Sequence, residues 1–542
     1  MSSEQKGTNL TTTALYVGVP ILIGASCYYL YSANKRKDAN SDPSSSSESK
    51  LRVKQLSPKE HLAHLKELGN NNFTRKNYDV AIEHYTKAIE FSSTLGENGD
   101  IKPDELAVFY QNRAACNFEL DDLENVISDC NRAIELKSNY VKAYVKRAKA
   151  YEKMAQYDKA MVDAFSANLL DKFQSQTIMS LAESIVKSSS KIKALEAMKN
   201  YKPTWASPQT IKNYFQAFVC DPIKEKLEGI NPTVESLQTL LDEANKPEND
   251  DDPFSLLVRG TCASLRGDSK LADETLKKLV AMDQDKVSPR LRANALIKIA
   301  ALMLNEQSSD SSANEKDLER MLEVIDQGIE VDPENPDLHL HRSQTLVLLE
   351  RLEESIVSLD KAIELKEDFH QAIAQKFYIE FKLLSRNPGG SMSKGAELVD
   401  KLKEAVKQNP ESQAILEMHA QVLTELMNFE GADQALQEIS QLDPNNGNIY
   451  VSRALLQFHT KNDSDEVTNL LKEAIRIDPT IIFAYEILGS IETQRGKTEE
   501  AIKIFETALQ YAKNQPEFER GFGLLDSAIS QRVAAKNLGM QI

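Results

Sequence analysis

Several residue types that punctuate other folds are scarce in this 542-residue chain. Tryptophan occurs once, glycine 20 times and proline 18 times, whereas 27% of the residues are charged. An all-β protein needs Gly- and Pro-rich turns at short intervals, so this composition favours helical repeats over a sheet protein. The chain is also too long for one ordinary core, and we expect several units or a repeat array.

Cysteine and histidine are scarce and dispersed. The five cysteines include no C-x-x-C pair and no short metal-ligand spacing, which is typical of a reducing compartment without structural disulfides. His61 and His64 are three apart on a predicted helix, but no further ligand accompanies them. Gly389-Gly390 with Lys394 lacks the spacing of a phosphate-binding loop. We therefore expect no enzymatic activity, no metal site and no cofactor.

Positive charge is scarce beyond residue 170. Residues 171–542 hold 43 Lys/Arg against 60 Asp/Glu, which accounts for the whole formal charge of −17. A nucleic-acid-binding protein needs an extensive basic surface, so we expect no nucleic acid among the partners. Basic peptides fit the charge of this acidic part better.

One stretch near the N-terminus lacks charge altogether. No charged residue occurs between Lys6 and Lys35, and residues 14–31 within that gap are largely apolar. A helix of this kind, slightly extended at each end, spans about 30 Å of hydrocarbon at ~1.5 Å per residue. Tyrosines and the cluster Lys35-Arg36-Lys37 follow it, in the order of an aromatic belt and a positive cytosolic flank. We predict a transmembrane signal anchor in contact with membrane lipid at residues 12–33. The alternative is a cleaved signal peptide, which carries its positive cluster on the other side.

Small residues recur at a 34-residue period in the rest of the chain. Ala133 and Ala167 are 34 apart, and the intervals in the C-terminal half are 34, 43, 34, 35 and 34 for Gly328, Ala362, Ala405, Ile439, Ala474 and Ala508. This is the period of the tetratricopeptide repeat, a helix pair that buries its apolar face only against its neighbours. The signature positions of the first repeat are filled by Gly69, Tyr78, Ala81, Tyr85 and Ala88. We predict an all-α tetratricopeptide superhelix with one N-terminal transmembrane helix.

The anchor, the linkers and the repeats divide the chain into six predicted parts. These are a short tail (1–11), the transmembrane anchor (12–33), a basic then Ser-rich linker (34–57), a three-repeat module (58–170), an irregular helical connection with an acidic linker (171–252), and a C-terminal superhelix (253–542).

Five polar side chains recur in one phase of the first three helix pairs. Lys66 and Asn70 are four apart, as are Lys142 and Lys146, and Asn112 lies 34 residues before Lys146. Positions four apart share a helix face, and a 34-residue offset gives equivalent points of successive first helices. Lysine amines and asparagine amides donate to carboxylate oxygens. We therefore predict a concave wall that binds the carboxylate end of a peptide. Ordinary solvated lysines and asparagines are the alternative.

The same residues resemble the carboxylate clamp of tetratricopeptide co-chaperones: K-x-x-G-N at 66–70, N-R at 112–113 and K-x-x-x-[KR] at 142–146. Such clamps bind the acidic C-terminal tails of the seventy- and ninety-kilodalton heat-shock chaperones. The last clamp position is usually Arg, whereas this chain has Lys146 followed by Arg147, and Lys cannot form a bidentate fork. Arg147 is therefore a sixth candidate, and the sequence leaves open which of the two completes the clamp.

The order of segments resembles the mitochondrial outer-membrane import receptors of about seventy kilodaltons. Besides the anchor, the tether and the clamp, the chain contains VKAYVKRAKAYEKM, SPQTIKNYF, RANALIKIA and AAKNLG. The resemblance implies a single-pass receptor in the mitochondrial outer membrane, with its N-terminus in the intermembrane space and its bulk in the cytosol. Other subunits of the outer-membrane translocase are then expected partners.

The resemblance also implies two binding activities. Chaperone tails would dock on the first module, and the C-terminal superhelix would capture hydrophobic preproteins, notably inner-membrane carriers, for passage to the import channel. The sequence does not indicate which residues contact preproteins. A chaperone-docking scaffold anchored in another membrane, such as the endoplasmic reticulum, is the alternative function.

Overall fold

The computed structural model describes residues 57–95, 102–228, 232–305, 315–386, 392–461 and 465–540. These ranges contain 25 α-helices and no β-strand, so the all-α expectation is confirmed for them. The predicted membrane anchor at residues 12–33 lies outside the described residues. None of the helices within those ranges is both long and apolar enough to span a bilayer.

The chain divides into two compact units that do not follow chain order. The described part of the first, here the N-terminal unit, comprises residues 57–197, 492–506 and 518–540, and the second, the C-terminal unit, comprises residues 198–491 and 507–517. The boundaries predicted from the sequence, with modules at 58–170 and 253–542, follow the repeats along the chain instead of the two compact units. They stay a prediction.

Most of the N-terminal unit consists of three helix pairs, a long helix and two helices from the end of the chain. They are α1 (Pro58–Thr74), α2 (Tyr78–Thr94), α3 (Pro103–Glu119), α4 (Leu123–Leu136), α5 (Val141–Lys153), α6 (Tyr157–Leu170), α7 (Gln176–Asn200), α24 (Thr498–Leu509) and α25 (Gln515–Asn537).

The C-terminal unit holds the remaining helices. They are α8 (Pro208–Gln216), α9 (Pro222–Lys226), α10 (Val234–Ala244), α11 (Pro253–Leu265), α12 (Ser269–Ala281), α13 (Pro289–Asn305), α14 (Glu315–Val331), α15 (Pro336–Leu348), α16 (Leu352–Leu365), α17 (His370–Arg386), α18 (Met392–Gln408), α19 (Gln413–Glu425), α20 (Phe429–Leu442), α21 (Gly447–Lys461), α22 (Asp465–Ile477) and α23 (Ile482–Gln494).

Local chemistry defines where these helices begin and where the chain turns. Ser57 and Glu60 form a capping box at the start of α1, whose first residue is Pro58. Ser207 caps α8, whose first residue is Pro208. The turn inside many of the pairs contains one residue with positive φ, two positions before the second helix: Lys76, Asp121, Ala155, Gly267, Glu350, Met427 and Gly496. A left-handed residue at this point ends the first helix and reverses the chain.

Each pair is held together by small residues at the crossing of its two helices. Ala81, Ala88, Ala114 and Ala133 are fully buried in the N-terminal unit. Gly69 is the tightest case, because a Cβ there would lie 2.4 Å from the ring of Tyr85, which is itself 1% exposed. The small residues at the predicted signature positions therefore allow the two helices of a pair to cross closely.

An arginine ten residues before the second helix of a pair joins three consecutive helices, and we call these residues the linking arginines. Arg113 bonds Thr86 on α2 and Asp129 on α4, Arg147 bonds Asn131 on α4 and Asp163 on α6, and Arg342 bonds Asp326 on α14 and Ser358 on α16. Arg113 and Arg147 grip their aspartates with two hydrogen bonds each, at 2.6–3.0 Å. This connects each pair to the pair before it.

In the C-terminal unit, residues 207–221 form a segment that we call the strap. It runs along the superhelix in the opposite direction to the chain, at or just before the N-terminal ends of α23, α21, α17 and α15. Its hydrogen-bond partners follow in reverse order: Ser207 with Asp478 (2.6 Å), Lys212 with Asp443 (2.8 Å), Gln216 with Gln371 (3.0 Å) and Cys220 with Asp337 (2.8 Å). Ile211 and Phe215 of the strap are fully buried, so it belongs to the core of this unit.

The last helix, α25, packs on α7 within the N-terminal unit. Lys193 of α7 pairs with Asp526 at 2.8 Å, and Ser189 donates to the same carboxylate at 3.2 Å. Leu538 packs against the cluster that contains Tyr144 and Ile178. The unit that carries the predicted clamp residues is thus completed by α25 and Leu538.

Replacing Gly69 by Ala is expected to destabilise α1 and α2 by about 1–3 kcal/mol, because the added methyl would overlap the buried ring of Tyr85. Amide hydrogen exchange in these two helices measures the effect. Gly523→Ala in α25 is the matched control, since its nearest contact would be an ordinary 3.5 Å to Val186. Unchanged protection of α1 and α2 in Gly69→Ala would contradict the expectation.

Candidate peptide-binding site

The five predicted clamp residues lie on the first helices of the three N-terminal pairs. Lys66 and Asn70 are on α1, Asn112 is on α3, and Lys142 and Lys146 are on α5. Asn112 and Lys146 each stand eleven residues before the second helix of their pair, so they occupy equivalent places.

Two asparagine amides meet at the centre of this wall. Asn70 Oδ1 accepts a hydrogen bond from the Tyr85 hydroxyl at 2.8 Å and from Asn112 Nδ2 at 3.4 Å. Burial raises the pKa of Tyr85 to about 12, so its hydroxyl stays a donor at neutral pH. Because the oxygen of Asn70 is occupied from inside, its amide nitrogen remains available to donate to a ligand.

Among the residues that the structure describes, the three lysines of the wall have no ion-pair partner. Within the described ranges, the amines of Lys66, Lys142 and Lys146 make no hydrogen bond or ion pair, whereas the neighbouring Lys153 pairs with Asp121 at 2.8 Å. Lys142 is exposed, and Lys66 and Lys146 are half-buried. Three cations beside two amide groups form a surface suited to carboxylates, which accept charge-assisted hydrogen bonds.

Lys146 has the most specific setting of the three. Its amine lies 4.4 Å from the centre of the Phe118 ring on α3, close enough for a cation–π contact. Burial lowers the pKa of Lys146, and the carboxylate of Glu119 opposes that shift. A bound carboxylate would restore the solvation that this ammonium group has lost.

Arg147 is engaged elsewhere. Its Nε and Nη2 donate to the two oxygens of Asp163 at 2.6 Å each, and Nη1 donates to Asn131 at 2.5 Å. Asp163 is almost fully buried, and burial raises its pKa although Arg147 opposes the rise. Arg113, the second residue of the predicted N-R motif, makes the equivalent bonds to Asp129. The structure therefore brings Asn70 and Asn112 together and turns both arginines towards other helices.

The equivalent wall of the C-terminal unit has a different chemistry. Asp337 stands fifteen residues before the second helix of its pair, as Lys142 does, and is fully buried. Its carboxylate accepts the backbone amides of Val219 and Cys220 of the strap at 2.9 and 2.8 Å. His341, at the place of Asn112 and Lys146, lies 5.4 Å from the Phe218 ring. At α15 the clamp positions are thus taken up by the chain itself.

The sequence patterns missed the linking arginines and the strap. The linking arginines carry a readable signal, since Arg113, Arg147 and Arg342 each stand ten residues before the second helix of their pair and each has an aspartate sixteen residues away. The strap carries none, because its partners lie more than a hundred residues along the chain. Within the described ranges, no group of three or more His, Cys, Asp or Glu side chains could hold a metal ion.

Known proteins resemble this chain in its repeats and over most of its length. The tetratricopeptide repeat model matches residues 336–369 and 484–515, which confirms the predicted repeat. The human mitochondrial import receptor subunit TOM70 is 31% identical over 97% of this chain and 93% of its own length. The yeast (Saccharomyces cerevisiae) protein of the same name is 24% identical over 86% of this chain and 80% of its length. The crystal structure of yeast Tom70 covers 88% of this chain and 97% of its own, with 22% identity and a TM-score of 0.46.

The human relative exceeds 30% identity over almost the full length of both proteins, so the match is not limited to the repeats that many proteins share. The chain belongs to the family of the mitochondrial import receptor subunit TOM70.

Proposed function

We propose that this protein is a single-pass receptor of the mitochondrial outer membrane that docks chaperone-bound preproteins through the chaperone's C-terminal tail. The observation that carries the proposal is the wall of the N-terminal unit, where three lysines beside the Asn70–Asn112 pair form no ion pair with any residue that the structure describes. The acidic tails of seventy- and ninety-kilodalton heat-shock chaperones supply the carboxylates that such a wall binds. The anchor at residues 12–33 would leave the N-terminus in the intermembrane space and both units in the cytosol.

Lys146 rather than Arg147 completes the clamp in this proposal. The amine of Lys146 is free to meet a carboxylate, while the guanidinium of Arg147 is held by Asp163 and Asn131. A lysine supplies a point charge instead of a bidentate fork, so each tail carboxylate is fixed in distance more than in orientation.

The C-terminal unit would capture hydrophobic preproteins, such as inner-membrane carriers, and pass them to the import channel with other subunits of the translocase. Residues 171–542 carry the acidic excess of the chain, which favours the basic targeting segments of preproteins. Because the strap occupies the N-terminal ends of α15, α17, α21 and α23, the preprotein surface is expected further along the first helices of these pairs. One such position is Gln421, which is equivalent to Asn70 because both stand eight residues before the second helix of their pair.

Substituting Lys66, Asn112 or Lys142 by Ala is expected to weaken binding of a chaperone tail peptide by ~1–3 kcal/mol each, because each removes a charge-assisted or amide hydrogen bond. Fluorescence anisotropy with a synthetic acidic tail peptide measures this, and the same peptide with an amidated C-terminus gives the contribution of the terminal carboxylate. Lys87→Ala is the matched control, since Lys87 is an exposed lysine of the same unit on a second helix. Undiminished binding by the triple variant would refute the clamp.

Tail binding is expected to weaken at alkaline pH because of Lys146. Burial lowers its pKa in the free protein, so the protonated amine that the tail needs is present at neutral pH and is lost as pH rises through that lowered value. Arginine stays protonated, so Lys146→Arg should bind at least as well at neutral pH and remove the decline at alkaline pH. Lys142→Arg is the control. The same decline in both variants would count against this role of Lys146.

Crosslinking in intact cells tests the membrane and the preproteins together. A photo-reactive amino acid at Gln421 is expected to capture carrier preproteins and translocase subunits, whereas one at the exposed Gln437 on the second helix α20 should not. Products from the endoplasmic reticulum would favour the alternative scaffold function. Deleting residues 300–542 is a poorer test, because it also removes α25, which completes the N-terminal unit.

A further inference from the structure

A cavity of about 390 Å³ lies between α10, α11 and α12 in the C-terminal unit. Leu241, Leu256 and Ala263 are buried and form its apolar side, and Leu271 lines it while remaining 51% exposed. This volume is at the lower end of the range for small-ligand sites, so the cavity holds one or two residues rather than a long acyl chain.

Three cations line the cavity, and they differ in their partners. Arg259 Nη1 donates to Asp250 at 3.0 Å, and Lys278 pairs with Asp251 at 2.8 Å. The guanidinium of Arg266 makes no hydrogen bond or ion pair with any residue that the structure describes, and its Nε is buried. An arginine cannot shed its proton, so a buried N–H of this kind carries a desolvation cost that an anion would offset.

Arg266 is held in place by contacts that leave its donors free. Its backbone carbonyl accepts a hydrogen bond from the Tyr201 hydroxyl at 3.1 Å, and its backbone N–H donates to the carbonyl of Cys262 in the last turn of α11. The guanidinium lies 5.8 Å from the centre of the Trp205 ring, and Trp205 is itself fixed by a hydrogen bond from Nε1 to Gln238 at 3.2 Å. A cation that is already positioned loses little conformational entropy when a ligand arrives.

The remaining charges near the cavity favour a ligand with a single negative charge. Glu274 lines the cavity, and the acidic residues Asp250 and Asp251 already hold the other two cations. A phosphate dianion would meet this negative surface, whereas a carboxylate places one charge on Arg266 alone.

We propose that this cavity binds the C-terminal residue of a peptide, with its free carboxylate on Arg266 and an aliphatic side chain against Leu241 and Leu256. The site is independent of the proposed tail docking, because its helices belong to the C-terminal unit and none of the wall residues takes part.

Trp205 is the only tryptophan of the chain and serves as the reporter. The full-length protein in detergent is titrated with N-acetyl-leucine, which should give a saturable change in tryptophan fluorescence, while N-acetyl-leucinamide should give none. Calorimetry on the same samples measures the affinity. Arg266→Gln should lose at least about tenfold in affinity, as expected for a charged hydrogen bond. Arg266→Lys, which keeps the charge, should retain an intermediate affinity.

Lys277→Gln is the matched control, since Lys277 is an exposed lysine of α12 that does not line the cavity, and it should bind like the wild type. Far-UV circular dichroism checks that each variant is folded, and Arg266→Lys decides the matter if Arg266→Gln is not. Three results would overturn the proposal: no saturable binding by either method, equal binding of the amide, or unchanged affinity in the Arg266 variants. Displacement of N-acetyl-leucine by inorganic phosphate at lower concentrations would overturn the carboxylate assignment in favour of a phosphate group.

Discussion

The wall depends on the linking arginines behind it. Arg113 and Arg147 each follow a wall residue directly, and the bidentate bonds to Asp129 and Asp163 determine how α3 and α5 are rotated about their axes. Once this rotation is fixed, the residue before each arginine, Asn112 on α3 and Lys146 on α5, faces the wall. Both aspartates are nearly buried, and loss of an arginine would leave an unpaired charge that costs about 3–5 kcal/mol. The presentation of Asn112 and Lys146 at the front of the wall thus depends on ion pairs at its back.

The two units place different side chains at equivalent positions of the same repeat geometry. Lys142 and Asp337 occupy the same position of a helix pair, yet one is an exposed cation and the other a buried carboxylate. Asp337 accepts hydrogen bonds from two backbone amides of the strap, so dipoles of the chain itself satisfy its negative charge. Burial raises the pKa of Asp337 to about 6 in spite of these amides. The same position of a helix pair thus belongs to an open wall in the N-terminal unit and to a wall covered by the strap in the C-terminal unit.

Sequence reasoning succeeded where the information is local and periodic. The 34-residue spacing predicted the helix pairs and the equivalence of Asn112 and Lys146, and Asn70 and Asn112 of the predicted wall meet between α1 and α3. It did not separate Lys146 from Arg147, because neighbours on a helix look alike until the partner Asp163 is known. It also missed the strap and the pairing of Lys193 with Asp526, which joins residues 333 positions apart. No local sequence period encodes a contact between residues so far apart. The predicted anchor lies outside the described residues.

The packing of α25 on α7 has a consequence for the order of biosynthesis. Translation delivers α1 to α7 early, whereas Asp526 is synthesised 333 residues after its partner Lys193, and Leu538, which packs against the cluster of Tyr144 and Ile178, follows Asp526. Until then, the nascent chain exposes the α7 surface that α25 covers, including a lysine whose final partner is not yet made. The N-terminal unit therefore closes only after α25 has been synthesised, and a premature stop ahead of Asp526 would leave the α7 surface open.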